Sequence, residues 1–137
     1  QTHRESIVER ISEQVQNIPP NVRVLYVPVG SGVTLAGVLE GRRKYGGDYA
    51  IVGLQPFGYD RVGTVTGICE GMQFEYDYEF RKGNYPYAKL HERHVGSIEL
   101  DMIYESKAFD MVDWKKDNTE CYWIIGNTNK LRKGYNG

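Results

Sequence analysis

One junction in this 137-residue chain limits its possible folds more than any other segment. An apolar, β-branched run over residues 22–29 ends in the loop Gly30-Ser31-Gly32, and a helical pattern starts directly after it. Backbone N–H groups at a helix start lack intrahelical partners, and the helix dipole favours negative charge there. Glycines let a ligand approach the backbone closely, and hydroxyl groups add donors. The junction therefore predicts an anion-binding loop, with an ordinary βα turn as the plainer alternative.

The predicted anion site differs from two well-known phosphate loops. It is not a P-loop, because no Gly-Lys-Ser/Thr follows, and its glycine spacing departs from the dinucleotide fingerprint. A Rossmann-type nucleotide site is a further alternative, which the Gln55-Pro56 pair at the end of the second predicted strand disfavours, because an acidic residue is expected there. The site is predicted to consist of Gly30, Ser31, Gly32, Val33 and Thr34.

Hydrophobic periodicity predicts an α/β fold. Helical patterns cover residues 2–17, 33–45 and 106–116, and strand patterns cover residues 22–29, 49–55, 99–104 and 120–126. The strand–helix–strand order around the loop predicts a parallel sheet with right-handed crossovers.

The middle of the chain is less regular. Residues 57–72, rich in glycine and threonine, predict a loop or extended chain, and the alternating residues 73–80 predict a half-exposed strand. The role of the aromatic residues in segment 74–80 stays open between a sheet edge and a substrate- or partner-facing strip. We expect one domain over residues 1–137, with three layers, a mostly parallel sheet, flanking helices and an extra strand or hairpin near residues 73–80.

Composition excludes several classes of partner. The net charge of −1 does not favour nucleic acid or an anionic membrane. No apolar run is long enough to span a bilayer, and no secretory signal is visible. Cys69 and Cys121 form no metal-type cluster and fit two reduced thiols, so we expect a cytoplasmic protein without a metal site.

Three segments resemble the pyridoxal-phosphate enzymes of the tryptophan-synthase-β type, fold type II. Residues 28–37, PVGSGVTLAG, resemble the family's phosphate loop. Residues 100–109, LDMIYESKAF, resemble its late strand-to-helix segment, nearest the branch of 1-aminocyclopropane-1-carboxylate deaminase and D-cysteine desulfhydrase. Residues 123–128, WIIGNT, stand where the family has its last core strand and a Gly/Thr turn. The resemblance covers the C-terminal, phosphate-binding part of such an enzyme.

The resemblance implies a cofactor, a reaction and site residues. Pyridoxal phosphate is the expected cofactor, and deamination, α,β-elimination or ring opening of a small amino acid is the expected reaction. Tyr104 and Glu105 are the implied catalytic residues, with the Tyr104 hydroxyl near the substrate and the Glu105 carboxylate at the pyridine nitrogen. Thr128 is implied near the ring nitrogen or the substrate carboxylate. The plainer alternatives are a solvated acid at a helix start for Glu105 and a turn residue for Thr128.

Two departures from the family keep a second function open. The family's imine-forming lysine lies well upstream of the phosphate loop, whereas no lysine precedes Gly30 here, and Val33 stands where the family usually has glycine. One interpretation is that this chain pairs with a lysine-bearing half and is inactive alone. The other is a non-catalytic relic that binds phosphate or docks to a partner. A homo-oligomer is a further alternative to pairing with a lysine-bearing half.

Overall fold

The structure is a computed structural model. It describes residues 3–58, 62–71, 77–86, 89–90, 92–95, 97–100, 102, 105–115 and 117–124. In chain order the helices are α1 (His3–Gln14), α2 (Val33–Tyr45), α3 (Val62–Gly71) and α4 (Glu105–Phe109), with a 3₁₀ turn at Val15–Asn17. The strands are β1 (Val24–Pro28), β2 (Ala50–Gln55), β3 (Glu79–Lys82), β4 (His94–Val95), β5 (Ile98–Glu99) and β6 (Glu120–Tyr122).

Four strands form an all-parallel sheet in the order β3-β2-β1-β6. In the register of the sheet, Leu25 lies opposite both Ile51 and Cys121, and Val52 lies opposite Glu79. Strands β4 and β5 form a separate antiparallel pair. The predicted α/β fold with a mostly parallel sheet is therefore confirmed.

Helices α1, α2 and α3 lie on one side of the sheet, which we call the aliphatic side. Side chains alternate along a strand, so Leu25, Val27 and Ile51 all project into this core. α1 packs closely on α2 because two glycines of α2 offer no side chain to it. A Cβ at Gly41 would lie 2.7 Å from the Ser12 carbonyl oxygen, and one at Gly37 would lie 3.1 Å from that of Val8.

The other side of the sheet, the aromatic side, is covered by α4 and the residues that follow it. Ala108 and Val112 pack against Val52 and Leu54 of the sheet. Beside them an aromatic cluster is built around Trp114, whose ring meets Tyr26 edge-on at 5.0 Å and stacks on Phe109 at 4.9 Å. Its members are Tyr26, Phe109, Trp114 and Tyr122. Helices on both sides give the expected three layers.

Three local predictions need correction. The loop predicted over 57–72 is wrong, because α3 occupies Val62–Gly71. Burial of Val65, Ile68 and Cys69 at helical spacing on the aliphatic side outweighs the poor helix propensity of the glycines and β-branched residues.

Among the described residues of the strand predicted over 99–104, only Glu99 lies in a strand, and that strand is β5, outside the main sheet. The Leu100 amide donates to the Arg93 carbonyl, so the chain turns back on β4 here; residues 101, 103 and 104 lie outside the described residues. The helix predicted over 106–116 stops at Phe109 because Trp114 folds back, and its Nε1 donates to the Phe109 carbonyl at 3.0 Å.

The alternating segment 73–80 falls partly outside the described residues, which resume at Asp77. Its end forms β3, a parallel strand at the sheet edge, from Glu79 to Lys82. No helix in the described ranges is long and apolar enough to cross a membrane.

Candidate functional site

The direction of the chain through the sheet marks one crevice. From β1 the chain moves outward to β2 and β3 through α2 and α3 on the aliphatic side, and it returns to β6, beside β1, past α4 on the aromatic side. A right-handed crossover requires this change of side when the direction along the sheet reverses. The carboxyl ends of β1 and β6 therefore flank a topological switch point, where open α/β sheets bind ligands.

The predicted anion loop leaves β1 at this switch point. Gly32 has φ +94° and is the residue before α2, and its carbonyl accepts the Ala36 amide at 3.1 Å. No side chain of the described part caps this end of the helix with a good hydrogen bond; the Ser31 Oγ lies 3.4 Å from the Val33 nitrogen. The amides of Ser31, Gly32 and Thr34 have no acceptor among the described residues, so they remain able to bind an anion.

Val33 does not obstruct this loop. It is the first residue of α2, and the left-handed backbone conformation falls on Gly32 instead. A β-branched side chain is therefore accommodated where the resembled family usually has glycine. The Val33 side chain packs against the aliphatic core rather than over the loop.

A second helix start, which the sequence did not reveal, adjoins the loop. A Cβ at Gly32 would lie 2.9 Å from a Val65 methyl group and 3.7 Å from a Thr64 methyl group, so the first turn of α3 packs on the loop. Glycine at position 32 is thus required twice, by its positive φ and by this close approach. The signal in the sequence was the apolar spacing of Val65, Ile68 and Cys69, which the surrounding glycines obscured.

The first turn of α4 lies at the same edge of the sheet. Glu105 is only 2 % exposed, and its backbone carbonyl accepts a hydrogen bond from the Tyr122 hydroxyl, on the last residue of β6, at 2.6 Å. The Lys107 Nζ lies 4.8 Å from the centroid of the Phe57 ring, just beyond the end of β2. Both contacts place this turn at the carboxyl ends of the strands.

Buried polar side chains are concentrated here. Of the six buried polar or charged residues in the described part of the chain, four belong to the end of β2 or to α4: Gln55, Glu105, Ser106 and Lys107. The Gln55 Nε2 donates to the Phe57 carbonyl at 2.8 Å, and the Ser106 Oγ lies 3.4 Å from the Leu100 carbonyl. Because polar groups are costly to bury, such a concentration is typical of a functional site.

Two predicted site residues lie outside the described residues, Tyr104 and Thr128. Tyr104 directly precedes Glu105 in the chain, and Thr128 follows β6 by six positions. The structure thus brings the anion loop and Glu105 to one edge of the sheet. It gives no side-chain position for the other two.

The two thiols are not suited to nucleophilic chemistry. Burial raises the pKa of Cys69 to about 12, and the negative charges of Glu40 and Glu70 contribute in the same direction. Burial also raises the pKa of Cys121. Because the thiolate is the reactive form, both cysteines are protonated and unreactive near neutral pH.

A separate cleft of about 440 Å³ lies at the opposite, amino edge of the sheet. Its walls include Pro19 and Pro20 ahead of β1 and Tyr49 ahead of β2. The Tyr49 hydroxyl is buried and has no hydrogen-bond partner within the described ranges. This cleft lacks the helix starts that distinguish the carboxyl edge.

Comparisons with protein-family models, with curated proteins and with solved structures find no match for this chain.

Proposed function

We propose that the loop Gly30–Thr34 binds the phosphate of pyridoxal phosphate, and that this chain is the phosphate-binding part of a deaminase or lyase acting on a small amino acid. The observation that carries the proposal is the set of amides at the switch point that have no acceptor among the described residues, on the same sheet edge as the buried Glu105. When bound, the cofactor withdraws electrons from the α-carbon of the amino acid.

The loop residues suit a phosphate group. The amides of Ser31, Gly32 and Thr34 offer donors, and the α2 dipole adds partial positive charge at the same point. The Ser31 side chain is exposed and the Thr34 side chain is half-buried, so both hydroxyls lie where an anion can reach them.

Glu105 suits the pyridine nitrogen. A carboxylate that is almost fully buried interacts strongly with a nearby cation, because little water screens it. It would therefore keep the ring nitrogen protonated, which makes the ring a better electron acceptor. By resemblance, Tyr104 would move a proton at the substrate and Thr128 would contact the ring or the substrate carboxylate.

A charge-reversal series at Ser31 tests the anion site. The probe is pyridoxine 5′-phosphate, which keeps the phosphate and ring nitrogen of the cofactor but has no aldehyde to react with lysine. Ser31→Asp places a carboxylate against the bound phosphate and is expected to weaken binding at least about tenfold, which corresponds to about 1.4 kcal/mol. Binding is measured by fluorescence titration at fixed ionic strength.

Two controls separate local repulsion from general effects. In Ser31→Asn the new side chain has nearly the same shape as aspartate but no charge. Its affinity for the probe is expected to stay within about threefold of wild type. Gln16→Glu adds one negative charge at the exposed amino edge and is expected to change nothing. Equal binding by Ser31→Asp and Ser31→Asn would show that the phosphate lies elsewhere.

The non-catalytic alternative gives a different binding preference. A simple phosphate module would bind inorganic phosphate as tightly as pyridoxine 5′-phosphate, because it would gain nothing from the ring. A cofactor site would prefer the pyridoxine ester by at least about tenfold, since ring contacts add binding free energy. Competition between the two ligands distinguishes these outcomes.

We also expect this chain by itself not to attach covalently to pyridoxal phosphate. No lysine precedes the loop, and Lys107, near the site, is 1 % exposed. Reduction with borohydride followed by peptide mass mapping checks this. One lysine labelled stoichiometrically would contradict it and would identify a nucleophile within these residues.

A further inference from the structure

Lys107 is an unusual residue in the described part of the chain, because its charged side chain is 1 % exposed. Lysine is almost never fully buried unless it is paired, since moving an ammonium group out of water is costly. Its Nζ donates to the Pro86 carbonyl at 2.8 Å and lies over the Phe57 ring. A methionine of the same length would fill this space without the cost of burying a charge.

Pro86 and Phe57, which Lys107 contacts, belong to adjoining connections. Phe57 follows β2 and Pro86 follows β3, and backbone hydrogen bonds join these connections: the Gly83 amide donates to the Gln55 carbonyl at 2.7 Å, and the Tyr85 amide donates to the Pro56 carbonyl at 2.9 Å. The lysine therefore ties the first turn of α4 to the segments that leave β2 and β3.

The same turn is held from its other end by β6. The Tyr122 hydroxyl donates to the Glu105 carbonyl at 2.6 Å. With only five residues, α4 is too short to be stable through its own hydrogen bonds. The position of Glu105 thus depends on side-chain contacts at both ends of this turn.

We propose that Lys107 is a positioning residue for Glu105, whose ammonium group holds the first turn of α4 against the exits of β2 and β3 so that the Glu105 carboxylate stays at the ligand crevice. This inference rests on the proposed function, in which Glu105 contacts the ring nitrogen.

The test measures protonation of the ring nitrogen in bound pyridoxine 5′-phosphate, from its absorbance as a function of pH. A well-placed carboxylate raises the pKa of that nitrogen. Lys107→Met is expected to lower this pKa by about one unit, which is a tenfold change in the protonation equilibrium. The affinity for pyridoxine 5′-phosphate is expected to change less than about threefold, because the loop Gly30–Thr34 still binds the phosphate. Lys107→Arg, which keeps the charge, restores most of the shift.

Controls make every outcome decisive. Lys44→Met removes an exposed lysine of α2 and is expected to titrate like wild type. The positioning role is overturned if the ring nitrogen titrates in Lys107→Met as it does in wild type. It is also overturned if circular dichroism shows that Lys107→Met does not fold. If wild-type chain does not bind the probe, or if Glu105→Gln leaves the nitrogen pKa unchanged, the proposed function itself fails. A shift that depends on Glu105 but not on Lys107 removes this inference alone.

Discussion

The two sides of the sheet are built in different ways. On the aliphatic side, helices of 12, 13 and 10 residues pack through Leu, Ile and Val, with glycines allowing α1 to approach α2. On the aromatic side a five-residue helix is held by rings and by side chains bonded to backbone carbonyls. The first arrangement provides a stable frame. The second arrangement fixes the short helix α4, which carries Glu105 of the proposed cofactor site.

The largest expected effect concerns the glycine contact between α1 and α2. Gly41→Ala would place a methyl group 2.7 Å from the Ser12 carbonyl oxygen and from the Val15 Cβ, so the helices must separate. We expect the free energy of unfolding to fall by about 3 kcal/mol, measured by urea denaturation.

Gly67→Ala is the matched control, because nothing lies within 4 Å of a Cβ at that position of α3. Alanine is the better helix former, so this variant is expected to gain about 0.5–1 kcal/mol. A loss at Gly67 similar to that at Gly41 would contradict this explanation, because neither helix propensity nor a close contact predicts a loss at position 67, and it would show that α3 packs differently.

The next effect tests whether the aromatic side is a separate unit. Trp114→Leu removes the stacking on Phe109 and the hydrogen bond to its carbonyl, and we expect a loss of about 2 kcal/mol. Hydrogen exchange should become faster in α4 and β6 while α1 and α2 keep their protection. Trp123→Leu is the control, because Trp123 packs on the aliphatic core instead of in the aromatic cluster. Equal acceleration on both sides would mean that the two sides unfold as one unit.

The same contrast explains what could be predicted from the sequence. The sequence predicts helix α2 over residues 33–45 and the structure has it at Val33–Tyr45, because its apolar pattern, loop and final glycines all agree. Glu105 is predicted as a site residue through the resemblance alone, and its burial is not evident from the sequence. The contacts of Lys107 depend on residues distant in the sequence, such as Pro86, which lies 21 positions away, and no local pattern records them.

Alkaline pH should affect the aliphatic core through Cys69. Its pKa is raised from 9.0 to about 12 in the folded protein, so its contribution to stability is complete below pH 9 and is lost as the pH rises towards 12. Cys69→Ala should therefore lose less stability than wild type between pH 9 and pH 11, whatever its stability at pH 7. Urea denaturation at each pH measures the free energy of unfolding. Cys121→Ala serves as the comparison, because the Cys121 thiol is only half-buried. Parallel curves for Cys69→Ala and wild type would contradict the burial of the thiol.

The smallest effect compares one tyrosine from each side. The Tyr49 hydroxyl on the aliphatic side is buried with no partner in the described part of the chain, whereas the Tyr26 hydroxyl on the aromatic side donates to the Glu120 Oε2 at 3.0 Å. Removing an unsatisfied hydroxyl costs nothing, so Tyr49→Phe is expected to leave the free energy of unfolding unchanged or to raise it by up to about 1 kcal/mol. Tyr26→Phe breaks a hydrogen bond to a charged group and should lose about 1–2 kcal/mol. If Tyr49→Phe proves the more damaging of the two, its hydroxyl has a partner in solution, and the amino-edge cleft holds a polar contact that stabilises the fold more than the Tyr26–Glu120 hydrogen bond does.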